Sequence, residues 1–216
     1  ALERARTARE AIEVMTSLIA EHGYRSTAES FAVADPDEVW LMEMTGKGPG
    51  RTGAVWVALR VPNGSISAYA NGMRIRSFPL DEPERCLYSP DVIDFAVEQG
   101  FWDPTSGEPF DFAAAYDAPT AQSRRYTATR VWSVFRRAAP SLEDELDPAY
   151  HRGDPDAQPY PLWIEPDEKL AVGDVMELMR DHCEGTRYDM TRGLDAGPFG
   201  TPNRWRPMTF EVDGEL

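Results

Sequence analysis

Cysteine is scarce in this sequence: Cys86 and Cys183 are the only two among 216 residues. Two cannot make a disulfide scaffold, and such sparing use fits a reducing, cytoplasmic setting. Histidine is nearly as rare. His22, His151 and His182 lie far apart, with no HExxH pattern and no Cys/His cluster. No metal and no cofactor are therefore expected. Positive charge is also in deficit, with 22 Lys and Arg against 37 Asp and Glu and a formal net charge of −15. Nucleic-acid binders cluster their cations, so nucleic acid is excluded as a partner, and so is an anionic membrane surface. No apolar run approaches the length of a membrane span. There is no internal repeat, no low-complexity tract and no signal-peptide pattern at residue 1. Both ends read as internal to a longer chain. Ala1 stands inside a helical pattern, and residues 212–216 read as a strand and turn cut short.

What is present is a globular composition, 42% hydrophobic, in a chain long enough to bury a sizeable core. Ala8, Ile12, Met15, Leu18 and Ile19 recur at helical spacing, and Gly23 follows as a C-cap. They predict a helix over residues 2–22. Residues 29–34 and 39–44 alternate around Asp35-Pro36-Asp37 and predict a hairpin. Residues 53–61 and 65–71 flank Pro62-Asn63-Gly64 and predict another, because Asn-Gly suits the two positive φ angles of a type I′ turn. Together these make an antiparallel meander of four strands. Ser89-Pro90-Asp91 opens a helix that runs to Gly100. Residues 110–116 predict a short helix or turn, 123–138 a clear helix, 140–162 an irregular loop, and 171–183 a last helix. The class is α+β.

Asn71 ends the strand begun at Ser65, on the face shared with Ser67 and Tyr69. An amide fixed there either caps the strand at Gly72 or polarises a carbonyl and holds an oxyanion. Cys183 beside His182 on one helix cannot form a nucleophile–base pair, since neighbours on a helix diverge. Both cysteines read as small buried hydrophobes. Gly46-Lys47-Gly48-Pro49-Gly50-Arg51 lacks the order of a phosphate loop and reads as a strand connection. Arg204-Trp205-Arg206 reads as a buried tryptophan between solvated arginines rather than a binding platform.

Several stretches then occur together and in order. They include Glu29-Ser30-Phe31, Val39-Trp40 to Gly46, Gly48-Pro49-Gly50, Ala70-Asn71 with Arg74-Ile75, and Leu87-Tyr88-Ser89-Pro90-Asp91-Val92. Arg130-Val131-Trp132, Pro161-Leu162-Trp163-Ile164, Met179-Arg180-Asp181-His182, Gly197-Pro198-Phe199-Gly200 and Arg204-Trp205-Arg206-Pro207 follow. Over nearly its whole length the chain resembles the PepD-type cysteine dipeptidases of the N-terminal-nucleophile (Ntn) hydrolase superfamily.

The resemblance implies an αββα sandwich that hydrolyses dipeptides. Its nucleophile is a cysteine that becomes the first residue of the mature enzyme, with its own α-amino group as base. Ala1 is not that residue, so the chain is expected to be an internal portion of a longer enzyme and inactive alone. It forms one incomplete Ntn domain: helix and sheet core over 1–80, a mainly helical insertion over 81–190, and a turn-rich return over 191–216. The resemblance implies an oxyanion role for Asn71 and a substrate-carboxylate role for Arg74. The family commonly shows Asn-Gln-Ala-Arg-Ile where this chain has Asn71-Gly72-Met73-Arg74-Ile75. Uncovered sheet edges predict self-association. The alternatives are a non-catalytic binding or scaffold domain on the same fold, or another amide hydrolase of penicillin- or bile-salt-acylase type.

Overall fold

Thr7 sets the start of the first helix. Its hydroxyl accepts from the Glu10 N–H at 3.1 Å, so α1 spans Ala8–His22 rather than beginning at residue 2. Leu2–Arg4 instead forms a short 3₁₀ turn. The computed structural model describes residues 1–193 and 196. Most of the expected turn-rich return over 191–216, with Arg204-Trp205-Arg206, lies outside the described residues.

A four-stranded antiparallel sheet follows α1. Its strands are β1 (Ala28–Ala34), β2 (Val39–Gly46), β3 (Ala54–Arg60) and, after a two-residue β4 (Ile66–Ser67) that lies elsewhere, β5 (Cys86–Tyr88). The order is β1-β2-β3-β5. Alternation decides which side chains meet which layer. Trp40, Met42, Met44, Ala54 and Ala58 face α1 and pack on Ala8 and Ile12. Val55, Val57 and Leu59 face the other way and pack on Met73, Ile75, Phe95 and Phe112. Both faces of β2 and β3 are thus covered.

The expected fourth strand over 65–71 does not join this sheet. The Ser65 N–H reaches the Pro62 carbonyl at 3.1 Å, but of the two central residues only Gly64 takes a positive φ, 83°. This is not the type I′ turn that continues a twisted ladder. Cys86–Tyr88 takes the free edge of β3 instead, pairing Leu59 with Cys86 and Val57 with Tyr88. Ile66 and Ser67 pair with Ile164 and Trp163 of β6 (Trp163–Ile164), forming a separate two-stranded ribbon.

Five α-helices remain among the described residues. α2 (Val92–Gln99) and α3 (Phe112–Tyr116) pack on the sheet, whereas α4 (Ala121–Ala138), α5 (Pro148–His151) and α6 (Val172–Leu178) build a second cluster on that ribbon. Thr120 caps α4 through the Ser123 N–H at 3.0 Å. Ala128, Val131 and Phe135 of α4 pack with Leu146, Tyr160 and Ile164 rather than on the four-stranded sheet. The loop expected over 140–162 contains α5. The last helix is shorter than 171–183: Leu178 reaches the α4 cluster, whereas Val172, Val175, Met176 and Met179 are exposed. A short helix without a buried face has little tertiary packing to lengthen it.

Candidate active site

The α4 cluster and the sheet body meet along residues 71–76, and a cavity of about 420 Å³ opens there. Its wall includes Asn71, Arg76, Asp117, Arg124 and Tyr150. A Cβ at Gly72 would stand 3.2 Å from Thr127 Cγ2, so the missing side chain lets α4 approach this segment closely.

Asn71 is exposed and has a φ of 45°, a left-handed conformation that asparagine tolerates better than most residues. It therefore lies in a bend rather than at the end of a strand. Its Oδ1 accepts from Arg130 Nη2 of α4 at 2.9 Å. Its Nδ2 has no partner among the described residues.

Arg74 is placed differently from the sequence expectation. Its Nη1 donates to the carbonyls of Ala68 and Leu162, and its Nη2 to those of Tyr160 and Pro161. The guanidinium stacks over the Phe135 ring at 5.4 Å. Burial lowers its pKa to about 10. The side chain clamps the 160–162 segment to residues 68–74 and offers no free fork to a substrate carboxylate.

Three successive backbone N–H groups in this segment are held by carboxylates. Met73 N–H donates to Asp117 Oδ2 at 2.9 Å. Arg74 N–H donates to Glu43 Oε1 at 2.8 Å and Oε2 at 3.1 Å, and Ile75 N–H to Glu43 Oε2 at 3.0 Å. Side chains thus satisfy groups that a strand would pair with backbone. Glu43 sits in mid-sheet on β2, opposite Ser30 and Val57, and is 3% exposed. Burial pushes its pKa up to about 7, against the pull of the two N–H groups and Arg74. A lone acid inside the apolar run Trp40-Leu41-Met42-Glu43-Met44 was the sequence signal for it. Asp117 carried no such signal, and Arg130 stood out only within a family-like stretch and not as a partner of Asn71, because their partners lie far along the chain.

Charges of both signs line the cavity. Asp117 keeps Oδ1 free of partners among the described residues. Arg76 binds Asp111 through Nε, and Arg124 donates to the Asp154 carbonyl through Nη1 at 2.8 Å. Each keeps a terminal nitrogen without a partner among the described residues. The cysteines lie elsewhere, and both are buried. Burial pushes the Cys86 thiol up to about 12 and also raises that of Cys183. Among the described residues, no three His, Cys, Asp or Glu side chains are grouped to hold a metal ion. None of their helices is long and apolar enough to cross a membrane.

On an α+β frame, the site thus sets an amide held by Arg130 beside a cavity lined by charges of both signs, a lining suited to hydrogen-bonding a small polar ligand. The chain belongs to Peptidase family C69, whose model matches residues 1–216. It is similar to a "Probable dipeptidase" of Salmonella dublin, 30% identical over 210 residues, which cover 95% of this chain and 42% of the relative. A "Probable dipeptidase" of Latilactobacillus sakei is 25% identical, covering 85% of this chain and 35% of the relative. A "Dipeptidase" of Bifidobacterium longum is 27% identical, covering 85% and 34%. The chain thus spans less than half the length of these relatives. No solved structure matches it.

Proposed function

We propose that this chain supplies the oxyanion donor and one wall of the substrate pocket in a dipeptidase of the N-terminal-nucleophile type. The Asn71 amide carries the reading: Arg130 holds its oxygen, and its Nδ2 is left for a ligand beside the cavity. The family and the printed names of its relatives give the substrate class.

In this reading a cysteine thiolate from outside this chain attacks the dipeptide carbonyl. The nucleophile's own α-amino group takes the thiol proton and passes it to the leaving amine. Water then hydrolyses the thioester. Asn71 Nδ2 donates to the oxyanion in both tetrahedral intermediates. A dipeptide carries an ammonium at one end and a carboxylate at the other. Asp117 suits the first, and the free nitrogens of Arg76 and Arg124 suit the second. Arg74 holds the wall together. Two unpaired cysteines fit a cytoplasmic enzyme.

The test uses the full-length protein. It should hydrolyse unmodified dipeptides and lose activity to a thiol alkylating agent, with dipeptide protecting. Binding without turnover points instead to a non-catalytic domain. Preference for N-acylated amines over dipeptides points to an acylase of the penicillin or bile-salt type.

A further inference from the structure

A carboxylate buried in the middle of a sheet is costly to desolvate, and an apolar residue at the same position of β2 would pack without that cost. Among the described residues Glu43 has no side-chain ion-pair partner, since the Arg74 guanidinium is turned to four carbonyls. Its two oxygens are spent on the Arg74 and Ile75 N–H groups, a few residues past Asn71. From the other side, Asp117 grips the Met73 N–H. The bend at Asn71 therefore leads directly into a stretch fixed from below by an acid of the sheet.

We propose that Glu43 is a positioning residue for the hydrolysis, holding residues 73–75 so that Asn71 presents Nδ2 to the reacting carbonyl. The inference rests on the oxyanion reading of Asn71. Glu43 does not touch the substrate. Its effect is felt through Asn71, so it belongs to kcat rather than KM.

A double-mutant cycle in the full-length enzyme tests this. Glu43→Gln keeps the shape but replaces one acceptor with an amide donor, which opposes an N–H group. Active sites are counted by thiol titration, so unfolded protein does not enter kcat. A small displacement of a catalytic group is expensive, and Glu43→Gln should lower kcat roughly tenfold with KM within about twofold. In an Asn71→Ala background the same substitution should cost less than about twofold, because the group it positions is gone. Equal losses in both backgrounds, with Asn71→Ala itself impaired, overturn the positioning role and leave the oxyanion reading standing. Wild-type kcat in Asn71→Ala removes the oxyanion reading and this inference with it. If Glu43→Gln does not fold, Glu43→Asp goes through the same cycle; it keeps the charge and withdraws the carboxylate by one methylene.

Discussion

Arg130 Nη2 lies 2.9 Å from Asn71 Oδ1, and this contact orients the amide. A guanidinium only donates, so the atom facing it must be the oxygen. Nδ2 is thereby turned the other way, with no protein partner among the described residues.

That orientation makes the first prediction. In the full-length enzyme, Asn71→Ala should lower kcat by about 10²–10³ with little change in KM. Arg130→Met, which keeps the helix and removes the donor, should lower kcat by roughly tenfold because the amide is then free to flip. Steady-state kinetics on a single dipeptide checks both. An Arg130→Met enzyme with wild-type kcat would show that the amide needs no such restraint.

Arg74 yields a different pattern. Its guanidinium joins residues 68–74 to 160–162, and those carbonyls lose their donors when it is replaced. Arg74→Met should destabilise the protein by about 2–4 kcal/mol, read by denaturant unfolding. KM of the folded fraction should stay near wild type. A large rise in KM with unchanged stability would return Arg74 to the substrate-carboxylate role.

The two cysteines should be dispensable for chemistry. With a pKa of about 12, Cys86 is thiolate in only about one molecule in ten thousand at pH 8. Cys86→Ala and Cys183→Ala should each leave kcat/KM within roughly twofold in the full-length protein. The 216-residue chain alone should not turn over dipeptides. Turnover by the chain alone, abolished by either substitution, would move the nucleophile inside it.

Stability should respond to pH in a sign set by Glu43. Its folded pKa is raised to about 7, so the folded state binds the proton more readily than the unfolded one. That contribution is fully present below about pH 4.5 and is lost as pH rises through 7. The charges facing Glu43 are Arg74, which favours its ionised form, and Asp117, which opposes it; the Tyr69 phenol also lies within its field. His151 acts in the opposite sense. Burial lowers its pKa to about 4, so its contribution is present above 6.5 and lost as pH falls through 4. The two partly cancel in the wild type. The difference in Tm between wild type and Glu43→Gln isolates the first, and it should move in favour of the variant as pH goes from 5 to 8. Each kcal/mol corresponds to roughly 2–4 °C in a chain of this size. A difference that is flat with pH would mean Glu43 does not titrate in this range.

How much of this was legible in the sequence follows from how local each signal is. The bodies of α1 and α4 and the strands β1 to β3 rest on periodicity within their own segments, whereas the caps Thr7 and Thr120 that set the helix starts were not read. The signal at Asn63-Gly64 was also local, and a turn forms there, but it is not the expected type I′ turn and it closes no hairpin. Its partner strand was not legible, because a turn dipeptide does not say which edge the next residues will find. Residues 65–71 read as a strand, but only Ile66 and Ser67 pair, with β6, and the N–H groups of residues 73–75 beyond them are taken by Glu43 and Asp117. Asn71 and Arg74 stood out by residue type, and both line the cavity. The direction of the Arg74 fork depended on carbonyls some ninety residues away, beyond the reach of any pattern in the sequence.

The grip of two acids on three consecutive amides has one more consequence, for hydrogen exchange. Residues 73–75 belong to no helix or strand, and such stretches normally trade their amide protons for solvent deuterium quickly. Here release requires a buried carboxylate to let go from within the sheet. The Arg74 and Ile75 amides should therefore exchange as slowly as those of β2 and β3, forming a protected island inside a segment without regular structure.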